Sequence, residues 1–224
     1  MVSSTGHSLL ALDWLAALCP ACHHGFGDGV RRAGVHLAGG GTDILRIMSL
    51  AQITRLPAEA FAAAVPDLAD VLVDAVEGGA SVGFVLPFAA DAARRWWATV
   101  ESGVADGRTL LWVARDEVGV VGTVQVKLEL GYPNGRHRAE VSKLLVHRRG
   151  RGRGLGRALL ATAEQGAIDS GCTLLVLDTE TGGPAEDLYR SAGFVELGVM
   201  PEHSADPWGA LKPTTYFYKL LAKA

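Results

Sequence analysis

Cysteine is scarce in this chain of 224 residues, which has only Cys19, Cys22 and Cys172. Three cysteines do not make a disulfide framework and are typical of proteins kept in a reducing compartment. The chain also lacks an apolar run of the roughly 18 residues that a membrane span needs. Its apolar opening stretch has no basic segment and contains Asp13, which argues against a signal peptide. We therefore expect a cytoplasmic protein with no membrane partner.

An excess of positive charge is also missing. Lysine and arginine number 21 against 24 aspartates and glutamates, which gives a net charge of -3. Dedicated nucleic-acid binders are usually basic, so we expect no nucleic-acid partner. Hydrophobic residues make up 49% of the chain and charged residues 20%, a composition that supports a sizeable buried core.

The first 43 residues differ in composition from the rest. They are glycine-rich and end near the triple glycine at 39–41, which is typical of a linker. We predict an extension over residues 1–43 and one domain over 44–224, and Met48 raises the hypothesis of an alternative start. The extension contains Cys19, Cys22 and His23, but no second pair is spaced to complete four zinc ligands, so we expect no metal.

Beyond the extension, helical and strand-like patterns alternate. Apolar residues at helical spacing from Phe61 to Val76 predict a helix, which Pro66 is expected to break or kink. Short apolar runs with turn signals predict strands before and after it. The predicted order is β-αα-βββ-α-β-α-ββ, an α+β domain with a mixed sheet.

One loop between a predicted strand and helix is rich in glycine and arginine: "VHRRGRGRGLGRALLATAEQ", residues 146–165. The strand ends at Val146 and the helix starts near Gly154 or Leu155. A helix start leaves backbone N–H groups unpaired and attracts anions, and glycines let a phosphate approach closely. A basic surface turn without a ligand and an RNA-binding segment are the alternatives. The spacing fits neither a Walker A loop nor a dinucleotide fingerprint.

This loop resembles the acetyl-CoA-binding signature of the GCN5-related N-acetyltransferases (GNAT proteins), Arg/Gln-x-x-Gly-x-Gly/Ala, at Arg151, Gly154 and Gly156. A second stretch, "AEDLYRSAGF" at 185–194, resembles the alanine-rich helix of that family, with its tyrosine and closing Gly-Phe. Shorter stretches at 78–84, 137–146 and 177–182 are similar to the tabtoxin-resistance acetyltransferase branch. The resemblance covers roughly residues 50–221.

The resemblance implies a GNAT fold, with a mixed sheet of about seven strands that is flanked by helices and splayed between its fourth and fifth strands. It implies acetyl-CoA as co-substrate. The residues expected to hold it are Leu144, Leu145, Val146, Arg151, Gly152, Arg153, Gly154, Leu155, Gly156 and Arg157. The side chains of Arg148 and Arg149 are expected only to tune the charge.

Three residues are candidates for proton transfer. Tyr189 matches the tyrosine that the family uses as general acid toward the thiolate; packing alone is the alternative. Asp178 ends a buried strand, where a carboxylate needs a cleft or a partner, and is the first candidate for general base or amine recognition. Capping of the next helix or turn is its alternative. Glu140 is the second candidate, with an ion pair to Arg138 or Lys143 as the alternative.

The acceptor side is less well defined. The asparagine often found seven residues before the tyrosine is absent, since Gly182 occupies that position. Thr179 or Glu180 is expected to replace its hydrogen bond. An aromatic of the Arg94, Arg95, Trp96, Trp97 cluster is expected to wall the acceptor pocket, unless it only packs in the core. His203 and Trp208 are candidates for specificity.

We therefore predict an acetyl-CoA-dependent N-acetyltransferase that acts on a primary amine of a small molecule. The resemblance suggests an amino-acid-like β-lactam toxin or antibiotic as the acceptor. Acetylation of an aminoglycoside, a polyamine or a protein N-terminus is the first alternative. A non-catalytic domain that senses acyl-CoA is the second. The resemblance leaves a homodimer open.

Overall fold

Seven strands and four α-helices make up the chain over residues 51–222, which are the residues described by the structure, a computed structural model. The predicted order of elements is confirmed. The strands are β1 (Gln52–Arg55), β2 (Thr109–Arg115), β3 (Val120–Leu128), β4 (Arg138–Val146), β5 (Leu174–Glu180), β6 (Val195–Ala205) and β7 (Leu211–Leu220). The helices are α1 (Ala58–Glu77), α2 (Ala90–Ala105), α3 (Leu155–Asp169) and α4 (Pro184–Ser191).

The strands form one mixed sheet in the order β1-β2-β3-β4-β5-β7-β6. Neighbouring strands are antiparallel except β4 and β5, which run parallel. Helix α3 makes the crossover that a parallel connection requires. The predicted α+β class with a mixed seven-stranded sheet is therefore confirmed.

Apolar side chains cover both faces of the centre of the sheet. In β2, Leu111 and Val113 pack in the core that α1 and α2 complete. Leu110 and Trp112 alternate with them and pack in the core that contains the α3 residues. A central strand buried on both faces reads as a continuous apolar run, which explains the weak alternation in the sequence.

Helix α1 passes through Pro66 without interruption, from Ala58 to Glu77. A proline inside a helix costs about 3 kcal/mol, because one hydrogen bond is lost and the ring crowds the preceding turn. Phe61, Leu68 and Leu72 lie on both sides of it and are fully buried, and burial of each such side chain contributes about 1.5–3 kcal/mol. This burial offsets the cost of Pro66. Of the predicted break or kink, the break is therefore wrong, since the helix continues to Glu77.

The predicted extension over residues 1–43, its boundary at residue 44 and the cluster of Cys19, Cys22 and His23 lie outside the described residues. Within residues 51–222, no helix is both long and apolar enough to cross a bilayer. Over the same range, no group of three or more His, Cys, Asp or Glu side chains is arranged to hold a metal ion.

Candidate active site

A gap opens in the middle of the sheet where β4 and β5 stop pairing. Only residues 138–140 of β4 pair with residues 174–176 of β5. Beyond them, among residues 51–222, β4 pairs only with β3 and β5 only with β7, so the edges that face each other across the gap have no partner strand. This is the splay that was predicted between the fourth and fifth strands.

Strand β4 is irregular beside the gap. Lys143 has a φ of +50°, which is uncommon for a residue with a side chain. The register of pairing with β3 shifts at this point, so that Lys143 and Leu144 together face the single residue Val124. A bulge of this kind bends the strand and re-aims its groups. Leu144 consequently lines the gap.

A cavity of about 400 Å3 lies between the end of β4, the loop that follows it and α4. Tyr189 is in its wall, together with eight of the ten residues predicted to hold the coenzyme: Leu144, Leu145, Val146, Arg151, Gly152, Gly154, Leu155 and Gly156. Helix α4 and the end of α1 supply apolar wall residues: Ala75, Ala80, Pro184, Ala185 and Leu188. Arg153 and Arg157 are outside this wall, and Arg157 donates a hydrogen bond from Nη2 to Ser191 Oγ at 2.7 Å.

The loop presents a row of unpaired backbone N–H groups beside this cavity. Within residues 51–222, the N–H groups of residues 152–157 donate no hydrogen bond, and the first bond of α3 runs from Ala158 N to Gly154 O. Gly152 and Gly154 have φ values of +73° and +75°, and a Cβ on either would meet no atom within 4 Å. These groups therefore border open space at a helix start, where an anion is stabilised.

Arg148 and Arg149 hold the loop to the rest of the domain. The Arg148 side chain donates from Nε to Asp74 of α1, and its backbone N–H donates to the same carboxylate at 2.9 Å. Arg149 donates from Nη2 to Val120 O at 2.8 Å and from Nε to Asp116 at 3.3 Å. The expectation that these two side chains only tune the charge is wrong, because both make structural contacts.

Tyr189 is buried in α4 and lines the same cavity. Its ring packs at 5.9 Å from the rings of Phe194 and Phe217, measured between centroids. Burial, and to a lesser extent the charge of Asp178, raise the pKa of Tyr189 to about 12. The hydroxyl group makes no hydrogen bond to another residue in the described part of the chain, so its proton is free for a ligand.

The two candidate carboxylates lie on one face of the sheet. Glu140 is opposite Val176 at the last paired position, and Asp178 follows Val176 by two residues. Desolvation, and then the charge of Glu140, raise the pKa of Asp178 above its ordinary value. Glu140 accepts a hydrogen bond from Lys127 at 3.2 Å, so its ion pair forms with a residue of β3 and not with Arg138 or Lys143.

The two tryptophans of α2 have different roles in the structure. Trp97 is fully buried and donates from Nε1 to Leu68 O at 2.9 Å, which makes it a core residue. Trp96 is partly exposed, and its ring lies 5.1 Å from the ammonium group of Lys143. Desolvation lowers the pKa of Lys143 from its ordinary value. Of the predicted cluster, Trp96 is therefore the residue placed beside the gap.

The segment between α1 and α2 contacts the turn between β6 and β7. Leu86 N donates to Pro207 O at 2.7 Å, and Ser81 Oγ donates to Ala205 O at 3.2 Å. Trp208 belongs to this turn and is 69% exposed. His203 forms a hydrogen bond of 2.8 Å with the Tyr216 hydroxyl, and its charge when protonated lowers the pKa of Asp178. His203 is thus close enough to influence the candidate base.

Three buried polar residues of β3 and β4 escaped the sequence prediction. Polar atoms of Thr123, Gln125 and Ser142 are buried without a partner among residues 51–222. One carboxylate oxygen of Glu180, which was expected to replace the missing asparagine, also has no partner in this range. Gln125 and Ser142 are directly opposite on β3 and β4. Buried polar atoms usually bind water or a ligand when the protein offers no partner. Their position as polar residues among the apolar residues of β3 and β4 is the signal that could have revealed them.

Comparison with known proteins agrees with this geometry. Residues 107–196 match the family model of the acetyltransferase (GNAT) domain. N-acetyltransferase 8B of Rattus norvegicus is 36% identical over 99 residues, which are 44% of this chain and 45% of that relative. The chain thus spans less than half the length of this relative.

Solved structures extend the likeness over most of the chain. Ribosomal-protein-alanine N-acetyltransferase from Brucella melitensis superposes with a TM-score of 0.62 at 26% identity, covering 76% of this chain and 99% of that one. A phosphinothricin acetyltransferase from Sinorhizobium meliloti, solved in complex with AcCoA, has a TM-score of 0.63 at 20% identity, over 77% of this chain and 89% of its own. At that identity it shows the fold alone. Residues 107–196 therefore resemble a GNAT acetyltransferase domain, and the fold is similar to that of solved acetyltransferases.

Proposed function

We propose that this chain transfers the acetyl group of acetyl-CoA to a primary amine of a small molecule, with Tyr189 as general acid. The observation that carries the proposal is the cavity, which is lined by the loop whose backbone N–H groups at 152–157 have no partner among residues 51–222, and by Tyr189. An anionic, elongated thioester needs a site with both features.

The N–H groups of residues 152–157 would hold the diphosphate of acetyl-CoA. An anion can bind these N–H groups without the exposed arginine side chains. There are several such groups, they border open space at Gly152 and Gly154, and a helix of 15 residues begins behind them. Arg151, which lines the cavity, adds a positive charge nearby. Backbone groups of Leu144 to Val146 would contact the arm that carries the thioester, because this part of β4 has no partner strand on the β5 side.

Tyr189 would donate its proton to the leaving sulfur. In the reaction a bond forms between the amine nitrogen and the acetyl carbon, and the bond from that carbon to sulfur breaks. The sulfur takes one proton from Tyr189, and the surplus proton of the amine leaves through a base and returns to the enzyme or the solvent. A phenol with a pKa of about 12 stays protonated until a thiolate is formed close to it.

Asp178 is the residue we propose to receive the proton of the amine, directly or through water. Its raised pKa brings the carboxyl closer to the range of a useful base than an ordinary aspartate. Glu140, which is engaged with Lys127, would act mainly on the pKa of Asp178. The acceptor would enter from the face that carries Trp96, between the α1–α2 segment and the β6–β7 turn.

The acceptor class is the least constrained part of the proposal. The name of the Brucella structure refers to an alanine of a ribosomal protein, and that of the Sinorhizobium structure to phosphinothricin. The sequence stretches similar to the tabtoxin-resistance branch support an amino-acid-like toxin or antibiotic as acceptor and a role in resistance. The proposal includes a cytoplasmic location, and a homodimer would cover the exposed apolar side chains of the edge strand β6.

A thiol-release assay with acetyl-CoA and a panel of amines tests the proposal. The panel contains amino-acid toxins, aminoglycosides, polyamines and peptides with a free N-terminus. Turnover with one class identifies the acceptor. Binding of acetyl-CoA without turnover of any amine favours an acyl-CoA sensor, and absence of binding rejects both functions.

A further inference from the structure

The carboxylate of Asp74 is buried beside the coenzyme cavity, although the proposed reaction does not use it. It belongs to α1, its side chain is 6% exposed, and the neighbouring residue Ala75 lines the cavity. Removal of a carboxylate from water costs several kcal/mol unless cations and hydrogen bonds compensate. A negative charge near a site for a diphosphate is a further cost. A buried carboxylate at this position therefore indicates a specific role for Asp74.

Four donors from the loop after β4 surround this carboxylate. The N–H and the Nε of Arg148 both donate to it. Arg151 Nη2 lies 3.7 Å from Oδ2, and His147 Nε2 lies 3.6 Å from Oδ1. The charge of Asp74 is thus matched by arginines of the loop, and the loop is attached to α1 at the point where it leaves β4.

Arg151 links this cluster to the end of β4. Its Nε donates to Val146 O at 3.0 Å, while its guanidinium also faces Asp74. The packing is close on the helix side, since a Cβ on Gly78 would lie 3.0 Å from Asp74 O and 3.6 Å from Arg151 Nη2. Arg151 is followed directly by the unpaired N–H groups of residues 152–157. The position of Arg151 therefore sets where that row begins.

We propose that Asp74 is a positioning residue for the coenzyme loop. It holds the Arg148 backbone and the Arg151 side chain, so that the N–H groups of residues 152–157 converge on one anion before the ligand arrives. Asp74 itself touches no substrate. The inference rests on the proposed function, because it takes the diphosphate of acetyl-CoA as that anion.

Calorimetric titration of the full chain with coenzyme A tests the role. Asp74→Asn keeps the size of the side chain and one acceptor for the Arg148 N–H, but removes the charge that holds the two arginines. We expect its Kd for coenzyme A to rise about tenfold or more, equivalent to about 1.4 kcal/mol. Glu77→Gln is the matched control, since Glu77 is 56% exposed and lies 3.8 Å from Arg148. Its Kd should stay within about twofold of wild type.

A double-mutant cycle separates positioning from a general loss of stability. If Asp74 acts through Arg151, Asp74→Asn adds little to the loss already caused by Arg151→Gln. A combined loss equal to the product of the two single losses overturns the proposal, as does an unchanged Kd in Asp74→Asn. If Asp74→Asn does not fold, Arg148→Gln breaks the same pair from its exposed side and must raise the Kd; an unchanged value overturns the proposal. A wild-type chain that does not bind coenzyme A contradicts the proposed function instead.

Discussion

At the scale of single residues, Tyr189 combines burial, an unpaired hydroxyl and a place in the wall of the cavity. Tyr189→Phe removes only the oxygen and leaves the packing against Phe194 and Phe217 in place. We expect kcat to fall by about 10²–10⁴-fold, the usual contribution of a general acid. Thiol release at saturating acetyl-CoA measures it. The Kd for coenzyme A should not change.

Tyr132→Phe is the control for this experiment, because Tyr132 lies in a loop and is 65% exposed. Its kcat should equal that of wild type. A kcat of Tyr189→Phe equal to wild type would show that the tyrosine only packs. Since the pKa of Tyr189 is about 12, its ionisation does not account for any loss of activity at moderately alkaline pH.

Asp178 leads to a prediction about pH. A base is active when deprotonated, so kcat/KM should rise with pH through the raised pKa of Asp178, and Asp178→Asn should abolish this rise. The charge of Glu140 raises that pKa and the charge of Lys127 lowers it. Glu140→Gln should therefore move the rise to lower pH, and Lys127→Gln to higher pH. Profiles of kcat/KM against pH measure both shifts, and shifts in the same direction would exclude Asp178 as the base.

Asp74 is a residue whose contacts could not be predicted from the sequence. In the sequence it is one acidic residue on the apolar side of a helix, and its partner Arg148 is 74 positions away. Its role depends on α1 packing against the loop after β4, which local patterns do not encode. The loop glycines and Tyr189 lie in two short, ordered sequence motifs, which is why their place around one cavity could be anticipated.

At the scale of elements, the loop before α3 depends on the backbone conformation of Gly154. An L-residue with a side chain pays about 1–2 kcal/mol in this left-handed region. We expect Gly154→Val to abolish measurable binding of coenzyme A, because strain moves the N–H groups and the new side chain enters the open space beside them. Calorimetric titration measures the binding.

Gly107 supplies the control for this loop. It has a φ of +77°, a Cβ on it would also meet nothing within 4 Å, and it lies in the turn between α2 and β2. Gly107→Val should carry a similar folding cost and leave the binding of coenzyme A intact. An equal loss of binding in both variants would mean that destabilisation, not the position of the loop, is responsible.

The order of the elements was predictable from apolar periodicity and turn residues, whereas the bulge at Lys143 was not. Residues 140–146, "EVSKLLV", form an ordinary strand-like stretch in which nothing marks an extra residue. The bulge lies where the pairing of β4 with β3 shifts register, beyond the three residues of β4 that pair with β5. A bulge of this kind depends on how β3, β4 and β5 are arranged, which the sequence of one strand does not reveal. The continuity of α1 through Pro66 is likewise decided by packing and not by local propensity.

At the scale of the whole molecule, the gap between β4 and β5 leaves backbone edges unpaired in the middle of the sheet. A ligand that fills the cavity touches the end of β4, the loop, the end of α1 and α4, and should stabilise the folded state. At a concentration of 100 times Kd this stabilisation is about 2.7 kcal/mol. Since 1 kcal/mol corresponds to about 2–4 °C for a protein of this size, we expect coenzyme A to raise Tm by about 5–11 °C.

Scanning calorimetry with and without coenzyme A measures this shift, and the two glycine variants locate its origin. Gly107→Val should melt at a lower temperature than wild type yet keep the full increase with ligand, because its cavity is intact. Without ligand, Gly154→Val should melt at about the same temperature as Gly107→Val. Coenzyme A should not raise the Tm of Gly154→Val. An increase in Gly154→Val would place the ligand elsewhere on the protein. No increase in wild type would contradict acetyl-CoA as the co-substrate, since a ligand that fills a cavity formed only on folding must bind the folded state more tightly than the unfolded one.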